Sequence, residues 1–257
     1  MKKILLVEGN LKEANQEFTE NGIKTHTESL QESISYYTNS LEIDSVNPSS
    51  DKDIFNKVKD LNKYEGLIWG GSSLNIYSDT KEIRKQIEFM KECQKKIKNI
   101  LAICWGMQVA VTAAGGVVNR GKNGAHRGIA HEIVINSDGL NHPIYKDKDK
   151  IFNTPAFNYD EVVTLPKDAI LLSSNKVNNV MALNFETEFS KIWGIQYHPE
   201  ITYEKMITLI RFRRERLLEN KSFSDEKDLE SHISMIEKED KITKKESRMR
   251  ELKNWLD

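Results

Sequence analysis

Short apolar runs, separated by charged stretches of helical period, set the rhythm of this chain. Ile4–Val7 is a continuous apolar run closed by Gly9-Asn10, the pattern of a strand buried on both faces. Leu41–Val46, closed by Asn47-Pro48, and Tyr64–Trp69 read as further strands. After the turn signal Asn21-Gly22, the spacing predicts a helix over Thr27–Tyr37. Thr80–Lys98 places Ile83, Ile87, Met90 and Ile97 at helical spacing among many charges, which predicts an amphipathic helix. Ile100–Ile103 is a fourth buried strand, Ile129–Ile135 and Ala169–Ser173 are shorter ones, and Lys191–Tyr197 is a late one that stops before Pro199. Alternating strands and helices imply an α/β fold, with a doubly wound, mostly parallel sheet and helices on both faces. In such sheets the functional groups lie at the carboxyl ends of the strands.

The chain changes character after residue 200. Ile201–Glu219 predicts a helix carrying Arg211, Arg213, Arg214 and Arg216, a run whose simplest reading is a solvated face matched to the helix dipole. In residues 220–257 about half the positions are charged. Met235, Ile242, Met249 and Leu256 recur every seven residues there, with Leu252 and Trp255 to one side. This pattern predicts an amphipathic helical tail lying on the body, or on a second copy in a homo-oligomer. The expected division is a globular domain over 1–219 and a charged tail over 220–257.

The chemistry enters where the Ile100–Ile103 strand ends. Cys104 sits between Ala102 and Gly106, and a helix-like segment, Val109–Ala114, follows. Small residues two before and two after a nucleophile allow the sharp strand-to-helix turn that lifts its side chain above the sheet edge. A thiol there faces a helix N-terminus, whose N–H groups and dipole favour a thiolate. The Lys191–Tyr197 strand ends in His198-Pro199-Glu200. Two positions apart in extended chain, His198 and Glu200 point the same way. A carboxylate there can hold the imidazole Nδ1–H and leave Nε2 to take a thiol proton, which is the logic of nucleophile, base and orienting acid.

Ala102-Ile103-Cys104-Trp105-Gly106-Met107-Gln108 and Gly194-Ile195-Gln196-Tyr197-His198-Pro199-Glu200 together resemble the class I, or triad, glutamine amidotransferase family. Gly66-Leu67-Ile68-Trp69-Gly70-Gly71-Ser72 resembles that family's oxyanion strand and loop, and the segment Phe157–Pro166 stands at its substrate-side loop. The resemblance covers about residues 1–215 and is strongest to free-standing glutaminases similar to the glutaminase domain of GMP synthase. Three positions depart from the family pattern: Ala102 where glycine is usual, Ser72 where proline is usual, and Asn158-Tyr159-Asp160 where histidine commonly leads. The resemblance implies a flavodoxin-like fold. It implies a Cys104–His198–Glu200 triad, an oxyanion hole from the N–H groups of Gly71 and Trp105, and substrate contacts from Gly70, Gln108, Tyr159 and Asp160, the last two toward the amino acid's ammonium group. The implied reaction converts the side-chain amide of glutamine, through a thioester, to glutamate and ammonia for a separate synthase. The alternative is a stand-alone hydrolase of γ-glutamyl amides, and a catalytically silent binding relative ranks third.

Composition narrows the rest. The chain has 257 residues, 30% of them charged, with a net charge of −1, so no basic field points to nucleic acid or to an anionic membrane. The N-terminal apolar run is too short for a membrane span. Only two cysteines occur, Cys93 and Cys104, which suits a reducing cytoplasm and no disulfide framework. The loop Gly121–Gly128 lacks the spacing of a phosphate loop. His126, His131 and His142 show no metal-ligand pattern, so neither metal nor cofactor is expected.

Overall fold

The computed structural model of the protein describes residues 2–57 and 59–257. The four predicted early strands form as β1 (Lys3–Val7), β2 (Glu42–Val46), β3 (Gly66–Trp69) and β4 (Asn99–Ile103). They are joined by β5 (Ala130–Ile135), β6 (Ile151–Thr154), β7 (Ile170–Ser174), β8 (Ala182–Glu186) and β9 (Lys191–Ile195). The nine strands make one sheet in the order β2-β1-β3-β4-β9-β8-β7-β5-β6. The half from β2 to β9 is parallel, and the strands beyond β9 extend it antiparallel.

Because side chains alternate across a strand, one run supplies two cores. Leu5, Val7, Leu67, Trp69, Ile100 and Ala102 face one side. There they meet α3 (Lys81–Lys96), through Phe89 and Met90, and α4 (Trp105–Ala113). Ile4, Leu6, Ile68, Leu101 and Ile103 face the other side, against Leu30 and Ile34 of α2 (His26–Tyr37). Threonine caps open both α2 and α3. Thr25 and Glu28 form a reciprocal capping box on α2, and Thr80 caps α3.

The structure departs from the sequence pattern in four places. An added helix, α1 (Lys12–Glu20), forms in a mostly polar stretch whose single buried side chain, Phe18, gives no periodic signal. The elbow helix α4 starts at Trp105, directly after Cys104, rather than at Val109. The predicted 201–219 helix is α5 (Tyr203–Phe212) followed, after a break at Arg213, by a short helix over Arg214–Glu219. The tail is three helices, α6 (Glu226–Ile242), a turn over Lys245–Arg248, and α7 (Arg250–Leu256), and not one heptad repeat. Ile242 is 74% exposed while Met249 and Leu252 are fully buried.

The tail lies on its own chain. Leu229, Ile233 and Ile236 of α6 pack with Ile129, Tyr203, Ile207 and Ile210, and Met249 and Leu252 join the core under α2. Among the described residues no helix is long and apolar enough to cross a membrane.

Candidate active site

The carboxyl ends of β3, β4 and β9 converge, and the residues that follow each strand meet there. After β4 the backbone turns at Cys104 with φ 53° and ψ −105°, a region that non-glycine residues avoid at a cost of about 1–3 kcal/mol. The turn needs glycine at 106, since a Cβ there would lie 2.4 Å from the Trp69 carbonyl oxygen. Gly194 leaves the matching space on β9, where a Cβ would come within 2.8 Å of Met107 Cγ. Cys104 N–H donates to the Ile195 carbonyl at 2.7 Å, tying the elbow to the end of β9.

From β9 the chain runs directly to the base. His198 Nδ1 lies 2.8 Å from Glu200 Oε1, and both side chains are almost fully buried. With Nδ1 taken by Glu200, Nε2 is the ring nitrogen left for the Cys104 thiol. Burial alone would depress the His198 pKa. The Glu200 charge, followed by the charge of Cys104, overrides burial and raises it to about 10. Burial opposes the Glu200 charge too, yet the His198 charge and its hydrogen bond hold that carboxyl well below the usual carboxylate range. Cys93 is a different thiol. It is fully buried in α3, and desolvation pushes its pKa far above the ordinary value.

Gly70 and Gly71 follow β3. Gly70 N–H donates to the Val7 carbonyl, and its own carbonyl accepts from Gly106 N–H at 3.2 Å. A Cβ on Gly71 would strike His26 Cε1 at 2.6 Å and His198 Cε1 at 2.8 Å, so only glycine lets this strand end approach the two rings. The loop is also stapled from the segment after β1, because Asn10 Oδ1 accepts the Ser73 N–H at 3.0 Å. Trp105 is the first residue of α4, where a backbone N–H has no helical partner.

The pocket above the thiol is lined by Ser72–Asn75, Gln108, Phe157–Asp160, Arg213 and Arg216. The structure thus brings Gln108, Tyr159 and Asp160 to the same cavity as Cys104 and Trp105. Gln108 Nε2 donates to Gln196 Oε1, and Gln196 Nε2 approaches Cys104 Sγ at 3.3 Å. Asp160 accepts from Tyr77 OH at 3.0 Å and burial raises its pKa. Tyr159 OH meets Ser222 Oγ at 3.0 Å, so the start of the tail borders the pocket. Asn158, at one of the departures from the family pattern, is turned into a buried network with His126 and Asn178.

Six contributors escaped the sequence reading. His26, the first residue of α2, stacks on His198 with centroids 5.5 Å apart and puts Nδ1 3.9 Å from Glu200 Oε1. Its helix start is fixed by Glu8, which accepts from the Thr27 N–H and hydroxyl at 3.1 Å. Arg213 and Arg216 face the pocket, although the arginine run read as a solvated face. Arg248, from the tail, is buried and donates to the carbonyls of Pro199 and Ile201, on both sides of Glu200. Its neighbour Glu251 accepts from Tyr197 OH at 2.8 Å and pairs with Lys148 at 3.0 Å. Only Glu8 carried a sequence signal, as a charge closing a buried strand.

Among the described residues one group of metal-ligating type stands out. The donor atoms of His26, His198 and Glu200 lie within 4.8 Å of one another, though Glu200 Oε1 is already committed to His198.

Residues 22–214 match the family model described as glutamine amidotransferase class-I. The chain is 29% identical over 216 residues to a γ-glutamyl-L-1-hydroxyisopropylamide hydrolase from a Pseudomonas species, covering 77% of this chain and 73% of that protein. It is 32% identical over 106 residues to one of the subunits of the glutamine-hydrolysing GMP synthase of Methanosarcina acetivorans, covering 41% of this chain and 52% of that protein. A solved Thermotoga maritima protein titled a glutamine amidotransferase superimposes with a TM-score of 0.67 at 18% identity, over 99% of this chain and 96% of that one.

Proposed function

The chain belongs to the glutamine amidotransferase class-I family, and from that premise we propose that it hydrolyses the side-chain amide of γ-glutamyl compounds through a thioester on Cys104. The observation that carries this reading is the elbow itself. A cysteine in strained backbone stands at a strand end, close enough to a buried histidine to act on its charge, with a buried carboxylate behind that histidine.

In the first half-reaction Sγ attacks the amide carbon, and the thiol proton passes to His198 Nε2. With its pKa raised to about 10, His198 holds that proton at neutral pH before the attack begins, ready for the leaving nitrogen. The Gly71 and Trp105 N–H groups receive the oxyanion, a role worth on the order of 10²–10³-fold in rate for one donor. His198 then returns the proton to the leaving nitrogen, the C–N bond breaks, and amine or ammonia departs. In the second half water attacks the thioester carbon, its proton goes to His198, the C–S bond breaks and glutamate leaves. Glu200 keeps the imidazole in one tautomer throughout, and Gln108 and Asp160 hold the amino-acid end.

Of the two enzymatic readings open at the sequence level, the self-sufficient γ-glutamyl amide hydrolase has the better support. The loop that would carry the oxyanion donor is held by bonds within this chain, from Val7, Gly106 and Asn10. It needs no partner to set it, despite Ser72 in place of proline. The similarity to the Pseudomonas hydrolase also spans more of both chains than the similarity to the Methanosarcina synthase component. That second similarity favours the other reading, a glutaminase feeding ammonia to a separate synthase. Steady-state kinetics on the purified chain decide between them. Rapid cleavage of a substituted γ-glutamyl amide, abolished by Cys104→Ala, is the expected result. Negligible cleavage until a synthase is added, with glutamine then preferred, would reject the hydrolase.

A further inference from the structure

Four arginines in one short stretch divide into two pairs. Arg211 reaches Glu237 of α6 at 3.9 Å, and Arg214 bonds Glu226 at 2.8 Å and approaches Glu230 at 3.6 Å. These two bind the tail to α5 and to the short helix that follows it. Arg213 and Arg216 turn the other way, into the cavity that holds the Cys104 thiol. Among the described residues neither has a carboxylate within ion-pair distance. Arg213 lies instead over the Phe157 ring, 4.9 Å from its centroid. Burial, and after it repulsion from Arg216, pulls the Arg213 pKa down to about 10, so the group stays charged at neutral pH. A half-buried cation, crowded by a second cation and without a carboxylate partner, is favoured when an anion joins it. The planar guanidinium fork matches a carboxylate in both charge and shape.

We propose that Arg213 and Arg216 form a carboxylate-binding pair that selects γ-glutamyl amides with a carboxylate on the amine half, that is, γ-glutamyl amino acids and peptides. The inference rests on the hydrolase reading above and adds the substrate class. Arg213, the deeper of the two, takes the glutamyl α-carboxylate, which every substrate of this type carries. Asp160, across the pocket, suits the adjoining ammonium group. Arg216 is exposed at the rim and takes a second carboxylate on the departing amine, which must project outward past the thiol. Glutamine and neutral alkylamides offer nothing to Arg216.

The test compares γ-glutamylglycine with γ-glutamylglycinamide, which differ only in that second carboxylate. Binding is measured by calorimetry on the Cys104→Ala protein, and turnover on the active chain. We expect the dicarboxylate to be favoured at least about tenfold in both, the scale of one charge-assisted hydrogen bond. Arg216→Gln should erase that preference, and Arg213→Gln should weaken both ligands together. Arg211→Gln, on the tail-facing side, serves as the control that keeps the preference. Equal binding of the two ligands by the Cys104→Ala protein, or a preference that survives Arg216→Gln, overturns the inference. The calorimetry separates this failure from that of the hydrolase reading. Turnover of both amides without preference removes the arginine pair and leaves the reaction standing. Preferential binding without turnover removes the reaction and leaves the pair.

Discussion

Replacing Arg248 by methionine tests whether the tail serves the active site or only covers the sheet. The side chain is 6% exposed, and its guanidinium donates to two carbonyls, those of Pro199 and Ile201. Methionine keeps the length and loses every donor. Each buried carbonyl left without its partner costs about 1–3 kcal/mol. Part is recovered because the guanidinium no longer has to be buried, a burden visible in its lowered pKa. A net loss of about 2–4 kcal/mol follows, which for a chain of this size lowers the melting temperature by roughly 5–15 °C. The consequence for catalysis is separate. Glu200 lies between the two carbonyls, so releasing them frees the carboxylate that orients His198. We expect kcat/KM to fall by about one to two orders of magnitude at temperatures where the variant is fully folded, with KM little changed. Arg248→Lys, which can still reach one carbonyl, should recover part of the loss. Thermal unfolding by circular dichroism and steady-state kinetics well below the transition give both quantities. A destabilised Arg248→Met protein with wild-type kcat/KM would refute the idea that the tail positions the His198–Glu200 pair.

A γ-glutamyl chloromethyl ketone should label Cys104 and spare the fully buried Cys93, as read by peptide mass mapping; modification of Cys93 first would contradict the assignment of the nucleophile. The His198 pKa is raised from 6.5 to about 10, so the folded chain holds this proton more tightly than the unfolded one. The resulting stability is complete below about pH 6.5 and is lost as pH rises through 10, so the unfolding free energy should decline over that window. Glu200→Gln should flatten the decline, and a wild-type curve that rises instead would reverse the sign argued here. Zinc should inhibit reversibly by drawing His26, His198 and Glu200 onto one ion, with EDTA restoring the rate; His26→Phe should blunt this inhibition, and equal zinc sensitivity in that variant would exclude the trio.

The strands and the elbow were legible in the sequence because their signals are local. A buried parallel strand is a run of apolar residues, and Ala102, Gly106, Gly194 and Pro199 mark the tight approaches and the stop by residue type alone. Cys104, His198 and Glu200 were legible through their place after those strands. The structure brings them together because β9 inserts beside β4. What the sequence hid depends on which way a helix turns in the assembled molecule. Arg211, Arg213, Arg214 and Arg216 look alike as a run of charges, and only the break at Arg213 sends two toward α6 and two toward the pocket. His26 sits one residue ahead of the predicted start of α2, where nothing local distinguishes it from a loop histidine. Arg248 and Glu251 stand in a segment so rich in charge that two buried ions do not show. The sevenfold spacing pointed to a helical tail lying on the body, as found, but carried no sign of the break after Ile242 that resets the helical phase.

The bracing of His198 by the tail has a consequence for how the protein comes into being. Chains are made from the N-terminus at roughly 5–20 residues per second, and folding follows emergence. Cys104 leaves the ribosome early, but one neighbour of its strand, β9, emerges only with residues 191–195. Arg248 and Glu251 come later than every strand of the sheet. A nascent or stalled chain therefore carries its thiol first, its imidazole well afterwards, and the brace last of all. The hydrolytic centre is timed by synthesis, and a product that stops short of Arg248 holds the complete sheet with its histidine and carboxylate on an unsupported loop.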